Sequence, residues 1–294
     1  RDLHVKRRRQ RQMCISDRNA TLSRQYDGTA TSAGSTLSSF DALQGGETLT
    51  MSGSGTAASV NVANGIAMSS NGDLGLVDGT GLASNYSLNS TVINITQRVL
   101  NSSGSKIYDA NTNALAADIT LSNLVSGETL NHSGTATLSS ANAGSYTISN
   151  LTGISIADNA GLASNYTLTG GTHNFTVNPK VVSIQGNKTY DGNTTINTSD
   201  ITAIVDTVGS ETLVMSSGTG TTSSQNAATY TSAGINEGSL TLGDGSNGGL
   251  AANYTLTGHA ASSFQINQRV LSSSGTRTYD GTATASSSDL TLSN

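Results

Sequence analysis

Along nearly the whole 294-residue chain, short runs alternate apolar and polar residues with period two, and clusters of Gly, Asn, Asp and Ser separate the runs. Tyr166 and Leu168 share one face of such a run, as do Phe175 and Val177. The matched pairs Ile93/Ile95 and Phe264/Ile266 keep the same alternation with polar residues between them. This is the pattern of half-buried strands: branched Thr, Val and Ile suit a pleated surface, while Gly and Asn supply the positive φ that tight turns need. No amphipathic helix stands out beyond a weak pattern from Thr112 to Leu121.

The runs belong to a longer period. Tyr-Asp recurs at Tyr26-Asp27, Tyr108-Asp109, Tyr190-Asp191 and Tyr279-Asp280, in steps of 82, 82 and 89 residues. Glu-Thr-Leu begins at Glu47, Glu128 and Glu211, and Asn-Tyr recurs with Tyr86, Tyr166 and Tyr254. Arg98-Val99, Lys180-Val181 and Arg269-Val270 each start ten residues before the next Tyr-Asp. A further basic residue, Arg24, Lys106, Lys188 or Arg277, lies two positions before each Tyr. The divisions that follow are residues 24–97, 98–179 and 180–268 as three repeats, with 269–294 as the start of a fourth. The extra length of the third repeat falls partly around Gly243–Gly249, read as a surface loop.

Six or seven short strands in about 80 residues, with a turn signal every 8–12, predict an all-β chain: a tandem array of small β-sandwich-like modules, Ig-like or related. Each would close its own small core and gain from stacking on its neighbours, and three in series would make a rod on the order of 100 Å long. The alternative is a right-handed parallel β-helix with coils of about 20–25 residues. The landmarks differ from one another within a repeat and do not recur at that shorter interval, which favours discrete modules.

Charge divides the chain. Eight of its 14 basic residues lie in the first 24 positions, which leaves residues 25–294 with 6 basic against 17 acidic residues, a net of −11. Such a body repels nucleic acid, and the run Lys6–Arg11 is the one basic patch. Residues 1–23 show no repeat landmark and are expected to be a disordered or non-native leader. Cys14 lies there, so the repeats are free of cysteine, as suits an exported protein stable without disulfides. No apolar run is long enough to span a membrane as a helix.

Taken together, a basic residue before Tyr-Asp-Gly, a central Gly-Glu-Thr-Leu, then Ala-Gly-x-Tyr, Ala-x-Asn-Tyr-x-Leu and a junctional Gln-Arg-Val-Leu resemble the YDG-type repeats of large bacterial surface and secreted proteins, notably filamentous-haemagglutinin-like adhesins. The resemblance covers residues 24–294. It implies an extracellular or cell-surface β module associated with adhesion or display, and no catalytic residues. Ala110 in place of Gly, Asn178-Pro179-Lys180-Val181 in place of Gln-Arg-Val-Leu, and a first repeat without Ala-Gly-x-Tyr depart from the pattern.

Candidate chemistry is sparse. Asp27, Asp109, Asp191 and Asp280 are weak candidates to help bind Ca²⁺, against the reading that each Asp caps its own turn while the adjacent Tyr packs and finds a hydroxyl partner. Glu47, Glu128 and Glu211 are expected in strands, paired with the basic residues before Tyr-Asp; acid/base catalysis would need its apparatus repeated in every unit. His4, His132, His173 and His259 occupy non-equivalent positions and make no repeated metal site, and His132, aligned with Met51 and Met215, reads as a packing position. The expected function is a non-enzymatic stalk or scaffold without a cofactor, whose partners are neighbouring repeats. The alternative is that the repeats bind a host or matrix glycan or protein through exposed Tyr and Asn.

Overall fold

A computed structural model describes residues 16–41, 43–148 and 151–294. The chain is all-β; among the described residues the only helical pieces are three-residue 3₁₀ turns. The weak helical pattern at 112–121 resolves into a strand, Asn113–Leu115, one such turn, Ala116–Asp118, and a second strand, Ile119–Ser122. Two compact units emerge. Among the described residues, the first holds those from Ser16 to Ser105 with those of Asn113–Ser139 and Tyr146–Phe175; the second holds Lys106–Thr112, Ser140–Ser145 and Thr176–Asn294.

One sheet plan recurs. In the first repeat, Ser16–Gln25 lies between Leu37–Phe40, antiparallel to it, and Tyr86–Thr96, parallel to it, and Ala63–Ser70 follows on the far side. In the second, the order is Ile119–Ser122, Asn101–Ile107, His173–Asn178, Gly144–Thr147. In the third it is Ile201–Val205, Ser183–Thr189, Ser263–Asn267, Thr229–Thr231. A second ladder in each repeat pairs the short strand after Tyr-Asp with mid-repeat residues: Thr31–Ala33 with Ser54–Ala57, Asn113–Leu115 with Asn131–Thr137, and Thr195–Asn197 with Thr219–Thr222.

The first and last strands of a repeat run the same way, so the chain leaves in the direction in which it entered. A single residue then suffices as linker: Gln97 between Tyr86–Thr96 and Arg98–Val99, and Pro179 between His173–Asn178 and Lys180–Val181. Proline fits there because a residue between two strands owes no ladder hydrogen bond. The parallel ladders join strands that lie far apart in sequence, from Arg98 paired with Tyr166 to Gln185 paired with Ser263; Asn101–Ile107 and His173–Asn178 follow the same plan, the amides of Ser102 and Tyr108 donating to the carbonyls of Thr172 and Asn178. Stacked parallel coils of 20–25 residues, the β-helix alternative, would pair strands one coil apart. The observed pairing is different.

The alternation anticipated from sequence is the core. Leu22, Ile93, Phe264 and Ile266 are fully buried, and Ile95, Phe175 and Val177 nearly so. The core is more continuous than one sealed interior per repeat: Ala20, Leu22, Tyr26, Ile93 and Ile95 of the first repeat pack in one cluster with Leu100, Leu130 and Tyr166 of the second. Burial of this kind stabilises by about 25 cal/mol per Å² of apolar surface, so a module of this size gains from sharing it.

The boundary set at residue 23 is corrected. Residues 16–23 are not a disordered leader, because Ser16–Gln25 is a central strand whose Ala20 and Leu22 are wholly buried. The signal is the alternation Ala20-Thr21-Leu22, masked in the sequence by the Arg-rich residues before it. Residues 1–15, with Lys6–Arg11, His4 and Cys14, lie outside the described residues.

Candidate functional site

The repeat landmarks converge on one construction, assembled from two neighbouring repeats. It starts at the Tyr-Asp corner. The strand ends by hydrogen bonds from the amides of Tyr26, Tyr108 and Tyr190 to the carbonyls of Thr96, Asn178 and Asn267 at 2.9, 2.8 and 2.9 Å. The Asp then folds the chain back: its Oδ1 accepts the amide two residues on, from Thr29, Asn111, Asn193 or Thr282, at 2.9–3.1 Å. The residue between must adopt positive φ, +78° at Gly28, +80° at Gly192 and +77° at Gly281, which is why Gly follows Tyr-Asp. Ala110 takes the same conformation at +62°.

The basic residue two positions before the Tyr closes the corner. Lys106 Nζ lies 2.8 Å from Asp109 and Lys188 Nζ 3.1 Å from Asp191; Arg24 pairs with Asp27 and Arg277 with Asp280 in the same way. Lys188 is itself buried and also donates to the carbonyls of Asn193 and Thr195. These contacts hold the acids below the ordinary carboxylate range. At Asp109 burial pushes the other way, but Lys106 and Asn111 outweigh it. At Asp191 and Asp280 the backbone amide at the turn is the largest cause. The four candidate Ca²⁺ ligands are thus engaged as turn caps and ion-pair partners of a cation in their own repeat.

The glutamates do not sit in strands and do not meet the basic residues, contrary to expectation. Each lies just before a strand, its amide donating to the carbonyl three residues back, Gln44, Val125 or Val208, at 3.0 Å. Its carboxylate meets tyrosines. The Glu128 carboxylate accepts the Tyr26 hydroxyl on Oε1 at 2.5 Å and the Tyr166 hydroxyl on Oε2 at 2.6 Å. The two rings meet edge to face with centroids 5.5 Å apart. Tyr26 belongs to the first repeat; Glu128 and Tyr166 belong to the second. The same clasp forms one period later: Glu211 accepts Tyr108 at 2.8 Å and Tyr254 at 2.6 Å, with the rings 5.4 Å apart.

The Asn of Asn-Tyr makes the second half of the clasp. A 3₁₀ turn, Ala163–Asn165, places it, with the Ala163 amide capped by Asp158 at 2.7 Å. Asn165 is buried; its Oδ1 accepts the Val62 amide at 2.9 Å, and its Nδ2 donates to Asn61 Oδ1 at 3.0 Å. Asn253 repeats this with the Ala143 amide at 2.8 Å and Asn142 Oδ1 at 3.1 Å. Asn61 and Asn142 were not anticipated from sequence. Their signal is a Ser-x-Asn turn in phase with the repeat, in which Ser59 and Ser140 accept the amides of Asn61 and Asn142 at 3.1 Å.

Burial, then the hydrogen bond to the carboxylate, pushes Tyr108 and Tyr254 up to about 12, and Tyr166 likewise; Tyr26 is raised for the same reasons. The tyrosines therefore stay protonated as donors, and each Glu is spent accepting from them. This geometry fastens one repeat to the next through carboxylates that each accept two tyrosine hydroxyls.

Not every landmark is clasped. Glu47 accepts Tyr86 at 2.6 Å within the first repeat. Tyr190 is half-buried, and Tyr279 is 91% exposed. The histidines serve locally: His132 Nε2 donates to the carbonyls of Ala116 and Ile119, His173 bridges Ser102 and the Leu168 carbonyl inside the core, and His259 pairs with Glu237. Gly243–Gly249 is partly strand, since Thr241–Asp244 pairs with Leu213–Ser217, and Asp244 caps the Ala251 amide as Asp158 caps Ala163. Among the described residues no three His, Cys, Asp or Glu side chains group as a metal site, and no helix is long and apolar enough to cross a membrane.

Fold and clasp define a class, the tandem all-β repeat proteins in which recurring residues join one repeat to the next. The YDG domain model matches residues 9–93 and 94–174, and the chain belongs to the YDG domain family. The first match begins inside the stretch set aside as a leader, in line with the buried strand found at Ser16–Gln25. Searches of curated proteins and of solved structures gave no match.

Proposed function

We propose that the chain is a non-catalytic stalk or scaffold segment of a bacterial adhesin or surface filament, working outside the cell without a cofactor. On this reading its repeats are small β-sandwich-like modules set in series as a rod. The observation that carries the proposal is the repeated clasp: Tyr26–Glu128–Tyr166 and Tyr108–Glu211–Tyr254 spend the recurring polar and aromatic residues on joining repeats. A module that recognised a glycan through recurring Tyr and Asn would present them to solvent, whereas Tyr26, Tyr108, Tyr166, Tyr254, Asn165 and Asn253 are buried. The cysteine-free repeats and the acidic body fit an exported spacer that does not associate sideways.

The test pairs shape with binding. Small-angle scattering on the full chain should give a maximum dimension on the order of 100 Å, as three modules in series require. Glycan-array and host-cell binding by the same chain should be at background. A compact scattering profile, or saturable binding abolished by substitutions on one module face, refutes the proposal.

A further inference from the structure

The first and last strands of a repeat are neighbours as well as parallel. In the first repeat ten residue pairs join them, from Ser16 with Tyr86 to Gln25 with Thr96, and the Tyr26 amide extends the ladder to the Thr96 carbonyl at 2.9 Å. In the third, Lys180 and Val181 pair with Tyr254 and Thr255, and five more pairs run from Gln185 with Ser263 to Thr189 with Asn267. The Tyr190 amide again closes the ladder, on the Asn267 carbonyl at 2.9 Å. The chain therefore enters each of these repeats at one end of the ladder and leaves at the other.

That placement decides how a pull along the chain is met. Tension draws the two strands in opposite directions along their own axes, so the hydrogen bonds of the ladder are loaded together. Entry and exit at the same end would instead part the pairs one after another. Slippage is opposed too, because a shift of register by one residue turns the inward side chains to the other face. Those side chains are core: Leu22 and Ile93 in the first repeat, and Ile184, Phe264 and Ile266 in the third, are 0% exposed. The joints match this design. One residue, Gln97 or Pro179, links successive repeats, and the clasp holds the Tyr that follows the first strand, Tyr26 on Glu128 and Tyr108 on Glu211. A pull that reaches the Tyr-Asp corner passes in part to the next repeat without crossing the ladder.

We propose that these repeats are tension-bearing elements, in which the parallel ladder between first and last strands carries a pull in shear and the Tyr–Glu clasp shares it with the next repeat. This goes beyond the stalk reading and does not rest on it, since the ladder resists a pull whatever the chain tethers.

Single-molecule pulling on the full chain tests this by direction. Pulled through tags at its two ends, the chain should lengthen in discrete steps of about 250 Å, the gain when an 82-residue repeat straightens at about 3.5 Å per residue from a module of about 30 Å. For the second direction, Thr189→Cys with Gln268→Cys puts both handles at the same end of the third-repeat ladder, and Gln25→Cys with Thr96→Cys does so in the first repeat. Cys14→Ser removes the natural thiol from both variants. All four handle positions are exposed, so thermal unfolding of the variants should match the parent chain. Pulled across the ladder at the same loading rate, each repeat should open at about half the end-to-end force or less, because forced unfolding follows the barrier met in the direction of pull. An end-to-end force no higher than the cross-ladder force in either repeat, or end-to-end lengthening without steps, overturns the proposal. The scattering and glycan tests above bear on the stalk reading whichever way this falls.

Discussion

Replacing Glu128 by Ala removes the acceptor of two tyrosines at once. Tyr26 and Tyr166 are 3% and 1% exposed, so neither hydroxyl can turn to bulk water. A hydrogen bond to a charged group contributes about 1.5–3 kcal/mol, and a buried donor left unmade costs a comparable amount. Tyr166 keeps the Val125 amide as a donor to its oxygen at 3.1 Å, which does nothing for its own O–H. Two such losses predict a destabilisation of about 4 kcal/mol. Glu47→Ala is the internal control: the same residue type at the same repeat position, accepting one hydroxyl from a half-buried tyrosine, should cost about 1.5 kcal/mol. Urea unfolding followed by tyrosine emission suits a chain with nine Tyr and no Trp. Equal costs for the two substitutions, or a cost below about 1 kcal/mol for Glu128→Ala, would refute the reasoning.

Further outcomes follow from the same contacts. Ala110→Gly should stabilise the second repeat by about 0.5–1 kcal/mol and Gly192→Ala destabilise the third by about as much, since a side chain at positive φ costs about 1–2 kcal/mol and the chain-entropy difference recovers part of it; thermal unfolding of both variants checks the opposite signs. Tyr166, Tyr108 and Tyr254 titrate higher folded than in the open chain. Their contribution is therefore complete below pH 10 and is lost as pH rises through 10 towards 12. Unfolding midpoints measured across pH 8–12 should fall above 10, and a flat profile would contradict this. Calcium at millimolar concentration should leave the melting temperature unchanged, because Asp27, Asp109, Asp191 and Asp280 already serve their own turn amides and cations; a rise reversed by chelator would show a site these contacts do not explain.

What could be read from the sequence, and what could not, follows from how far each signal reaches. The alternation at Phe175/Val177 and Phe264/Ile266 is local, and it identified buried strand faces correctly. The Tyr-Asp-Gly corner is also local: the Asp cap, the positive φ and the basic residue two before the Tyr all lie within a few residues. The destination of Glu128 is not local. Its partners are Tyr166, 38 residues on, and Tyr26, 102 residues back in the preceding repeat. Periodicity shows that such residues matter once per repeat and is blind to whether the contact closes a module or crosses to the next. Hence the strand placement and basic partner expected for the glutamates failed, although the residues were singled out. The Ser16–Gln25 strand was lost for another reason: eight basic residues in the first 24 positions hid the apolar alternation at Ala20 and Leu22.

The central claim is that these recurring residues join neighbouring repeats, and a double-mutant cycle between Tyr26→Phe and Glu128→Gln tests it most directly. Coupling of about 1–2 kcal/mol is predicted for this pair, and none for Tyr26→Phe with Glu47→Gln, the glutamate of the same repeat. Coupling to Glu47, with none to Glu128, would contradict the account.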